Sequence, residues 1–304
     1  MLHIYSQLVP LFFMFALGVV LRRMQFARLE HGEFLLRFMF FITLPALVFL
    51  KLSQADLDFH KLSLPLANIG VDLACMLVML VLLRFVQVPR QTQGAMVLSS
   101  MITNNAFMFP FLLAVFGGDG FAYAVLFDFG NAILVSTFTY ALAFRYGPDR
   151  HTSRTLITRT LSSPLFWALL IAVTLNFLAL PVPHTVQLML EPLGQMTNPL
   201  ILVSLGILFT PRPGRLWPLA ITLGTRVGAG LVLGIVIASL LGLHGLAFTV
   251  VVLCAAAPVG FNALTYASLA RLDTELASSA VSLSILLGIV YIPLLMYLVP
   301  RFAG

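Results

Sequence analysis

Two stretches of this chain place amide side chains and proline inside segments that are otherwise apolar. The first, SSMITNNAFMFPFLLAVF, covers residues 99–116 and carries Asn104, Asn105 and Pro110. The second, APVGFNALTYAS, carries Pro258 and Asn262. A proline inside a helix removes one backbone donor and opens the preceding turn, so the freed carbonyl groups need polar partners. Each stretch therefore predicts a helix that breaks and offers amide side chains beside unpaired backbone groups.

Three charged residues lie in similarly apolar surroundings. Asp72 stands in LANIGVDLACMLV, Asp128 in VLFDFGNAILV with Asn131 one turn later, and Arg226 in TLGTRVGAGLVLG. A charge at membrane depth costs at least a few kcal/mol, so each should face a partner or a wet cavity. Two interpretations follow: Asp72 and Arg226 pair structurally, or Arg226 attracts an anionic substrate while Asp72 or Asp128 carries a coupling proton.

A structural role is also open for the prolines and asparagines. One proline in a membrane helix usually produces only a kink, and an asparagine can simply donate to a neighbouring helix. For either stretch alone we prefer this structural interpretation. The matched pair of stretches favours a substrate site, because broken helices in corresponding halves of a chain are typical of transporter sites.

The composition decides the class of protein that holds these residues. The chain has 304 residues, of which 60% are hydrophobic and 9% charged, with a mean hydropathy of +1.03. Soluble domains carry about 25% charged residues, so we predict an integral membrane protein. The net charge of +6 is typical of basic cytoplasmic loops. No dense basic run is interleaved with aromatics, and we expect no nucleic-acid partner.

Apolar runs of about 20 residues, the length that crosses a bilayer, predict an all-α polytopic membrane protein with about ten transmembrane helices. The predicted spans are 4–21, 34–50, 63–83, 94–116, 121–144, 164–180, 188–209, 217–241, 246–270 and 276–299. Loops after odd-numbered spans, counted together with Arg37 at the adjoining start of span two, hold thirteen of the seventeen basic residues. The positive-inside rule then places these loops in the cytoplasm. We expect a multi-pass protein of the cell (inner) membrane with both termini on the non-cytoplasmic side.

The spans divide into two halves of five. A basic, polar cytoplasmic linker at 145–163 separates a first repeat, 1–144, from a second, 164–304. Because five is odd, the two halves have opposite orientations, which predicts a 5+5 inverted repeat. Pro45 and Pro199 occupy matching places in spans two and seven, and spans four and nine carry the proline and asparagine stretches. Spans four and nine are therefore the predicted broken helices.

Enzymatic chemistry has little support in the sequence. There is no H-E-x-x-H, no G-x-S-x-G and no pair of aspartates at helical spacing. The six histidines fall at span ends or in loops, and the two cysteines lie alone in apolar segments. We therefore expect no enzyme, no cofactor and no metal site.

The chain resembles the auxin efflux carrier (AEC) family over essentially its whole length, as a compact bacterial-type member. The resemblance is carried by the 5+5 layout, by the Asn-Asn to Pro110 stretch, and by motifs in other spans. These motifs are LPALVFL in span two, FDFGNA in span five, APVGFNALTYA in span nine and VSLSILLGIVYIPLL in span ten.

The resemblance implies a fold shared with bile-acid and sodium/proton transporters, in which spans four and nine cross at mid-membrane. Spans 1, 2, 6 and 7 would form a scaffold, and spans 3–5 and 8–10 a transport domain that moves as an elevator. A homodimer through the scaffold helices is compatible with this layout. Asn104 or Asn105 with Pro110 would form one half of the crossover, and Pro258 with Asn262 the other.

The family's substrates are typically organic anions, such as indole-acetate in plants and malate or malonate in some bacteria. Many relatives place glycines between the asparagine and proline of span four, whereas this chain has Ala106, Phe107, Met108 and Phe109 there. This departure leaves the substrate class open.

We therefore expect a secondary transporter for a small organic anion, such as a carboxylate or dicarboxylate. The predicted substrate-binding residues are Asn104, Asn105, Pro110, Asp128, Asn131, Pro258, Asn262 and Arg226. The predicted ion-coupling residues are Asp72 and Asp128, with proton or sodium as the coupling ion. The alternatives are a membrane sensor or receptor with a carrier fold and, third, an intramembrane enzyme.

Overall fold

The computed structural model describes residues 2–55, 57, 61, 63–148, 164–209 and 216–301, and the regular elements within these ranges are helical. The predicted linker lies outside the described residues from position 149 onward. The α-helices are α1 (Leu2–Arg23), α2 (Leu29–Phe38), α3 (Leu44–Gln54), α4 (Leu64–Leu82), α5 (Arg90–Met101), α6 (Asn105–Leu134), α7 (Tyr140–Tyr146), α8 (Pro164–Phe177), α9 (His184–Gln195), α10 (Thr197–Leu208), α11 (Leu216–Leu223), α12 (Gly230–Leu240), α13 (Gly245–Ala255), α14 (Phe261–Leu269) and α15 (Thr274–Leu298).

Three segments with π-helical hydrogen bonding join consecutive α-helices: Met39–Thr43, Val135–Thr139 and Gly224–Ala229. A short 3-10 turn, Val299–Arg301, follows α15. Five helical stretches are long and apolar enough to cross a membrane, namely Leu29–Gln54, Leu64–Leu82, Asn105–Leu134, Leu216–Leu240 and Thr274–Arg301. The helices 164–177 and 245–255 are apolar but shorter. Together they make the chain a multi-pass membrane protein, while the number ten and the inverted repeat stay predictions.

Helix α6 joins two segments that the sequence predicts as separate spans. It runs continuously from Asn105 to Leu134 except at Gly117, where φ is 68° and ψ is −158°. A positive φ costs glycine little because it has no Cβ. The predicted gap between residues 116 and 121 therefore corresponds to a kink at one glycine, with helix on both sides of it.

The described residues form two compact units. The first comprises residues from 1–61, 109–125 and 158–209, and the second comprises residues from 62–108, 126–157 and 210–304. Long stretches of predicted spans one, two, six and seven fall in the first unit. The second unit holds most of the remaining spans, and α6 contributes to both units.

In the first unit, α1 and α10 approach each other backbone to backbone. A Cβ built on Gly18 would lie 2.2 Å from the Val203 carbonyl oxygen, and one on Gly206 would lie 2.1 Å from that of Phe15. Neither position has room for a side chain, which is typical of small-residue packing between membrane helices. At the end of α3, Asn176 of α8 donates from Nδ2 to three carbonyl oxygens, those of Leu52, Ser53 and Ala55, at 3.1, 3.2 and 2.7 Å.

In the second unit, α12 packs closely against α13. A Cβ built on Gly230 would lie 2.4 Å from the Ala255 carbonyl oxygen, and one on Gly234 would lie 2.5 Å from the Ala255 Cβ. The core of this unit holds an unusual set of polar side chains, including Asp72 and Arg226, which are both buried. Large apolar side chains such as Leu66 and Val290 are exposed instead, as expected of a surface that contacts lipid.

Candidate functional site

Two helix breaks lie side by side in the second unit. The first, residues 102–104, separates α5 from α6, and the second, residues 256–260, separates α13 from α14. The two segments run antiparallel and form an isolated bridge between Thr103 and Val259. The backbone N–H of Asn104 donates to the Pro258 carbonyl oxygen at 2.8 Å, and the backbone N–H of Gly260 donates to the Ile102 carbonyl oxygen at 2.9 Å. Each break therefore satisfies backbone groups that the other leaves without a helical partner.

The sequence at the second break accounts for its shape. Pro258 has no amide hydrogen and disfavours helix at the residue before it. Gly260 permits close approach, because a Cβ there would lie 2.6 Å from the Thr103 carbonyl oxygen. The Val259 amide donates to Ser284 Oγ at 3.0 Å, and the Tyr291 hydroxyl donates to the Ala256 carbonyl oxygen at 2.7 Å.

The first break is set by asparagine. Asn104 is the N-cap of α6, and its side-chain oxygen accepts from the Phe107 amide at 3.2 Å. The sequence predicts that Pro110 keeps this break in place, and that expectation is wrong, because α6 continues through Pro110. The capping preference of asparagine and the bridge to the second break fix the start of the helix instead.

Asn105, Asp128 and Asn131 form a polar cluster beside the first break. Asn105 and Asn131 both donate from Nδ2 to Asp128 Oδ1 at 2.9 Å, and Asn105 Nδ2 also lies 3.1 Å from Thr103 Oγ1. The amide oxygens of Asn105 and Asn131 are buried and have no hydrogen-bond partner among the described residues. Buried amide oxygens without partners are costly in a folded protein, so this cluster has unused capacity to bind a ligand.

A third amide side chain lies next to this cluster and is missed by sequence reasoning. Both polar side-chain atoms of Asn68 in α4 are buried without a partner among the described residues. The Asn68 Cβ would be 3.0 Å from a Cβ built on Gly130, which stands between Asp128 and Asn131 on α6. Asn68 precedes Asp72 by one helical turn, and this spacing is the signal that could have identified it.

Arg226 and Asp72 form an ion pair, with Arg226 Nη1 3.3 Å from Asp72 Oδ1. Arg226 is completely buried, and Asp72 is 1% exposed. The structural pairing of Asp72 with Arg226, which is one of the two alternatives that the sequence leaves open, is thus present in the structure. Asp72 Oδ2 is buried and has no hydrogen-bond partner among the described residues.

The same guanidinium group also holds the ends of two broken helices. Nη1 donates to the carbonyl oxygens of Ser100 and Met101 at the end of α5, at 3.1 and 3.0 Å. Nη2 donates to the Ala255 carbonyl oxygen at the end of α13, at 2.6 Å. The last carbonyl groups of a helix lack helical partners and carry partial negative charge. Arg226 therefore supplies donors and positive charge to both carboxyl-terminal ends.

Local backbone geometry places Arg226 at this point. It lies in the π-helical segment Gly224–Ala229, between α11 and α12. Such segments are rare and often occur at functional sites. A Cβ built on Gly230 would be 2.9 Å from Arg226 Nη2, so the glycine beside the segment leaves room for the guanidinium group.

The remaining predicted site residues differ in exposure. Pro258 is buried within the second break, whereas Asn262 lies in the first turn of α14 and is exposed. The start of α14 has no side-chain cap. Among the described residues, no group of three or more His, Cys, Asp or Glu side chains could hold a metal ion.

All four ends of the broken helices thus lie near one bridge, and they differ in charge. Arg226 donates to carbonyl oxygens at the ends of α5 and α13, while α6 and α14 present helix N-termini, whose first backbone N–H groups have no helical carbonyl partner. At the start of α6, one of these groups, the Phe107 N–H, is capped by Asn104. Helix N-termini attract anions through these amides and the helix dipole. The arrangement can therefore bind a small anion at two helix N-termini, beside amide side chains and one carboxylate.

Comparison with known proteins identifies the family of the chain. The model of the membrane transport protein family, which includes the auxin efflux carriers, matches residues 3–296. This chain belongs to that family. Two archaeal relatives are named uncharacterized transporters. The one from Methanothermobacter thermautotrophicus is 27% identical over 283 residues, covering 91% of this chain and 92% of the relative. The one from Methanocaldococcus jannaschii is 24% identical over 277 residues, covering 87% and 89%.

Membership in the membrane transport protein family makes the chain a membrane transporter. Between Asn105 and Pro110 this chain has Ala106, Phe107, Met108 and Phe109, and the structure shows how Phe107 is accommodated. Phe107 is buried, and its ring lies 3.3 Å from a Cβ built on Gly288 of α15.

Proposed function

We propose that this transporter is a secondary carrier for a small organic anion, such as a carboxylate or dicarboxylate. The observation that carries the proposal is the charge distribution around the paired breaks. Arg226 occupies the negative ends of α5 and α13, which leaves the positive N-termini of α6 and α14 for an anionic ligand. Asn104, Asn105, Asn131 and Asn262 would supply hydrogen bonds around it, and Pro110 and Pro258 would shape the two helices that carry them.

Arg226 takes a supporting role in this proposal. Its guanidinium group makes four contacts with buried partners, and the side chain is fully buried. A substrate that bound Arg226 directly would have to displace at least one of these contacts. Arg226 therefore acts on the anion by holding the break open and by adding positive charge near it.

Alternating access would follow an elevator mechanism. The scaffold would consist of spans 1, 2, 6 and 7, and the transport domain of spans 3–5 and 8–10, arranged as an inverted repeat. The two compact units support this assignment: one holds residues 1–61 and 158–209, together with 109–125 from spans four and five, and the other holds 62–108, 126–157 and 210–304. A homodimer through the scaffold, location in the cell membrane and both termini outside belong to the same proposal.

Asp128 is the stronger of the two candidates for ion coupling. Asp72 already has a permanent cation in Arg226, whereas Asp128 is surrounded by neutral amides. A proton or a sodium ion would neutralise Asp128. The unpartnered amide oxygens of Asn105 and Asn131 could then accept a hydrogen bond from the protonated carboxyl group or coordinate the sodium ion.

The experiment is counterflow in proteoliposomes with a panel of labelled dicarboxylates and aromatic carboxylates. Saturable exchange of one class, reduced by Asn105→Ala and unchanged by Glu30→Gln on the exposed surface of α2, would support the carrier. Uptake driven by an imposed pH gradient or sodium gradient, and made gradient-independent by Asp128→Asn, would identify the coupling ion. Binding of an anion without exchange would favour the second candidate function, a sensor with a carrier fold.

A further inference from the structure

A cavity with a polar lining lies within the first unit. Its volume is about 420 Å³, and it is bordered by α3, α9, the start of α10 and one residue of α6. Its polar lining consists of Lys51, Gln54, Gln187, Glu191, Gln195 and Asn198. Six polar side chains around one cavity, in a chain with only 9% charged residues, point to a ligand that is itself polar.

The cavity contains one charge of each sign. Lys51 lies in the last turn of α3, and Glu191 lies in the middle of α9. Within the described part of the chain, Lys51 and Glu191 form no ion pair with each other, although both line the cavity. Glu191 Oε1 has one weak contact, with Gln195 Nε2 at 3.5 Å. Two opposite charges that share a cavity without pairing leave space for a ligand that reaches both.

The remaining lining is suited to the rest of such a ligand. Asn198 Oδ1 is buried and has no hydrogen-bond partner among the described residues, so it is an acceptor for a ligand N–H group. Gln187 Nε2 donates to the Val182 carbonyl oxygen at 2.8 Å, which fixes this amide and leaves its oxygen as a further acceptor. Leu47, Leu50 and Leu113 provide an apolar wall.

We propose that this cavity binds a small zwitterion of the amino-acid type. The ligand carboxylate would pair with Lys51, its ammonium group with Glu191 and Asn198, and its aliphatic side chain would contact the leucines. A simple carboxylate would pair with Lys51 and leave Glu191 without a counter-charge, and a simple amine would pair with Glu191 and leave Lys51 without one. The mixed lining therefore selects a molecule with both groups over a molecule with either one.

The experiment is calorimetric binding to the purified full chain in detergent, with leucine, 4-methylpentanoate and isoamylamine as probes. The three share an aliphatic tail and differ only in their charged groups. We expect leucine to bind at least about tenfold more tightly than either analogue, because it alone satisfies both charges. Equal binding of 4-methylpentanoate, or no saturable binding of leucine at millimolar concentration, would overturn the proposal.

Variants locate the bound ligand. Lys51→Met and Glu191→Gln should each weaken leucine binding about tenfold or more, the usual effect of losing a charge-assisted hydrogen bond. Arg28→Gln and Glu30→Gln remove exposed charges of the same unit and serve as matched controls with unchanged binding. Unchanged binding in both cavity variants would place the ligand elsewhere and refute the site. The readout is binding, so its failure leaves the proposed anion carrier untouched, and failure of the counterflow experiment leaves this site untouched.

Discussion

The two helix breaks are similar in outline but are built by different means. The break before α14 is made by backbone chemistry: Pro258 interrupts the helix, and Gly260 allows the segment of the first break to approach. The break before α6 is made by side chains, with Asn104 as the cap and Asn105 linked to Asp128. The comparison suggests a division of labour in which the second break maintains the geometry and the first carries the groups that recognise a ligand.

The largest expected effect comes from the residue that serves both breaks. Arg226→Met removes donors from the ends of α5 and α13 and leaves Asp72 buried without its partner. Breaking a buried ion pair on one side typically costs about 3–5 kcal/mol. We expect a sharp loss of monodisperse protein in detergent and a lower melting temperature.

The double variant Arg226→Met with Asp72→Asn is the control for this loss. It removes the uncompensated charge of Asp72 but does not restore the donors that Arg226 supplied, so it should recover part of the stability. Full stability of Arg226→Met with loss of anion transport alone would instead make Arg226 a direct substrate contact.

The next effect tests the close approach at the second break. In Gly260→Ala the added methyl group would lie 2.6 Å from the Thr103 carbonyl oxygen, so the bridge must open or shift. Overpacking of this kind costs about 1–3 kcal/mol. Thermal unfolding should show the loss, whereas Gly228→Ala, where nothing lies within 4 Å of the added atom, should be nearly neutral. Equal melting temperatures for the two variants would contradict the bridge.

A smaller effect on stability, but a large effect on transport, is expected at the first break. Asn105→Ala removes one of the two amide donors to Asp128 and should lower the rate of anion exchange about tenfold or more, since a hydrogen bond to a charged group contributes about 1.5–3 kcal/mol. Asn262→Ala changes an exposed side chain at the other break and should affect transport less. A greater loss with Asn262→Ala would reverse the division of labour.

The smallest effect concerns the support behind the second break. Ser284→Ala leaves the buried Val259 amide without its acceptor and should reduce the free energy of unfolding by about 1–2 kcal/mol. Transport per folded molecule should stay close to the wild-type rate. A tenfold loss of transport at normal stability would show that Ser284 belongs to the ligand site.

Much of this arrangement is predictable from residue type. Asparagine, aspartate and arginine are costly at membrane depth, so their presence in an apolar segment is a clear signal in the sequence. Asn105, Asp128 and Arg226, which this signal identifies, all lie in the second unit. The position of the first break is less predictable, because proline is the strongest local signal and Pro110 lies inside the helix. The decisive contacts of Arg226 are with carbonyl groups of two other helices. A backbone oxygen carries no sequence signature, so only the folded chain reveals which helix ends this side chain reaches.

The π-helical segment at Gly224–Ala229 has a consequence for insertions and deletions. Its wider turn accommodates one residue more than an α-helical turn does. An α-helix advances by about 100° per residue, so deleting one residue here would restore ordinary helix and rotate Arg226 relative to α12 by roughly a quarter turn. The guanidinium group would then miss the helix ends that it holds. The number of residues in this turn therefore matters as much as the identity of its arginine. A change of length here should be less tolerated than one in a neighbouring turn of the same helix.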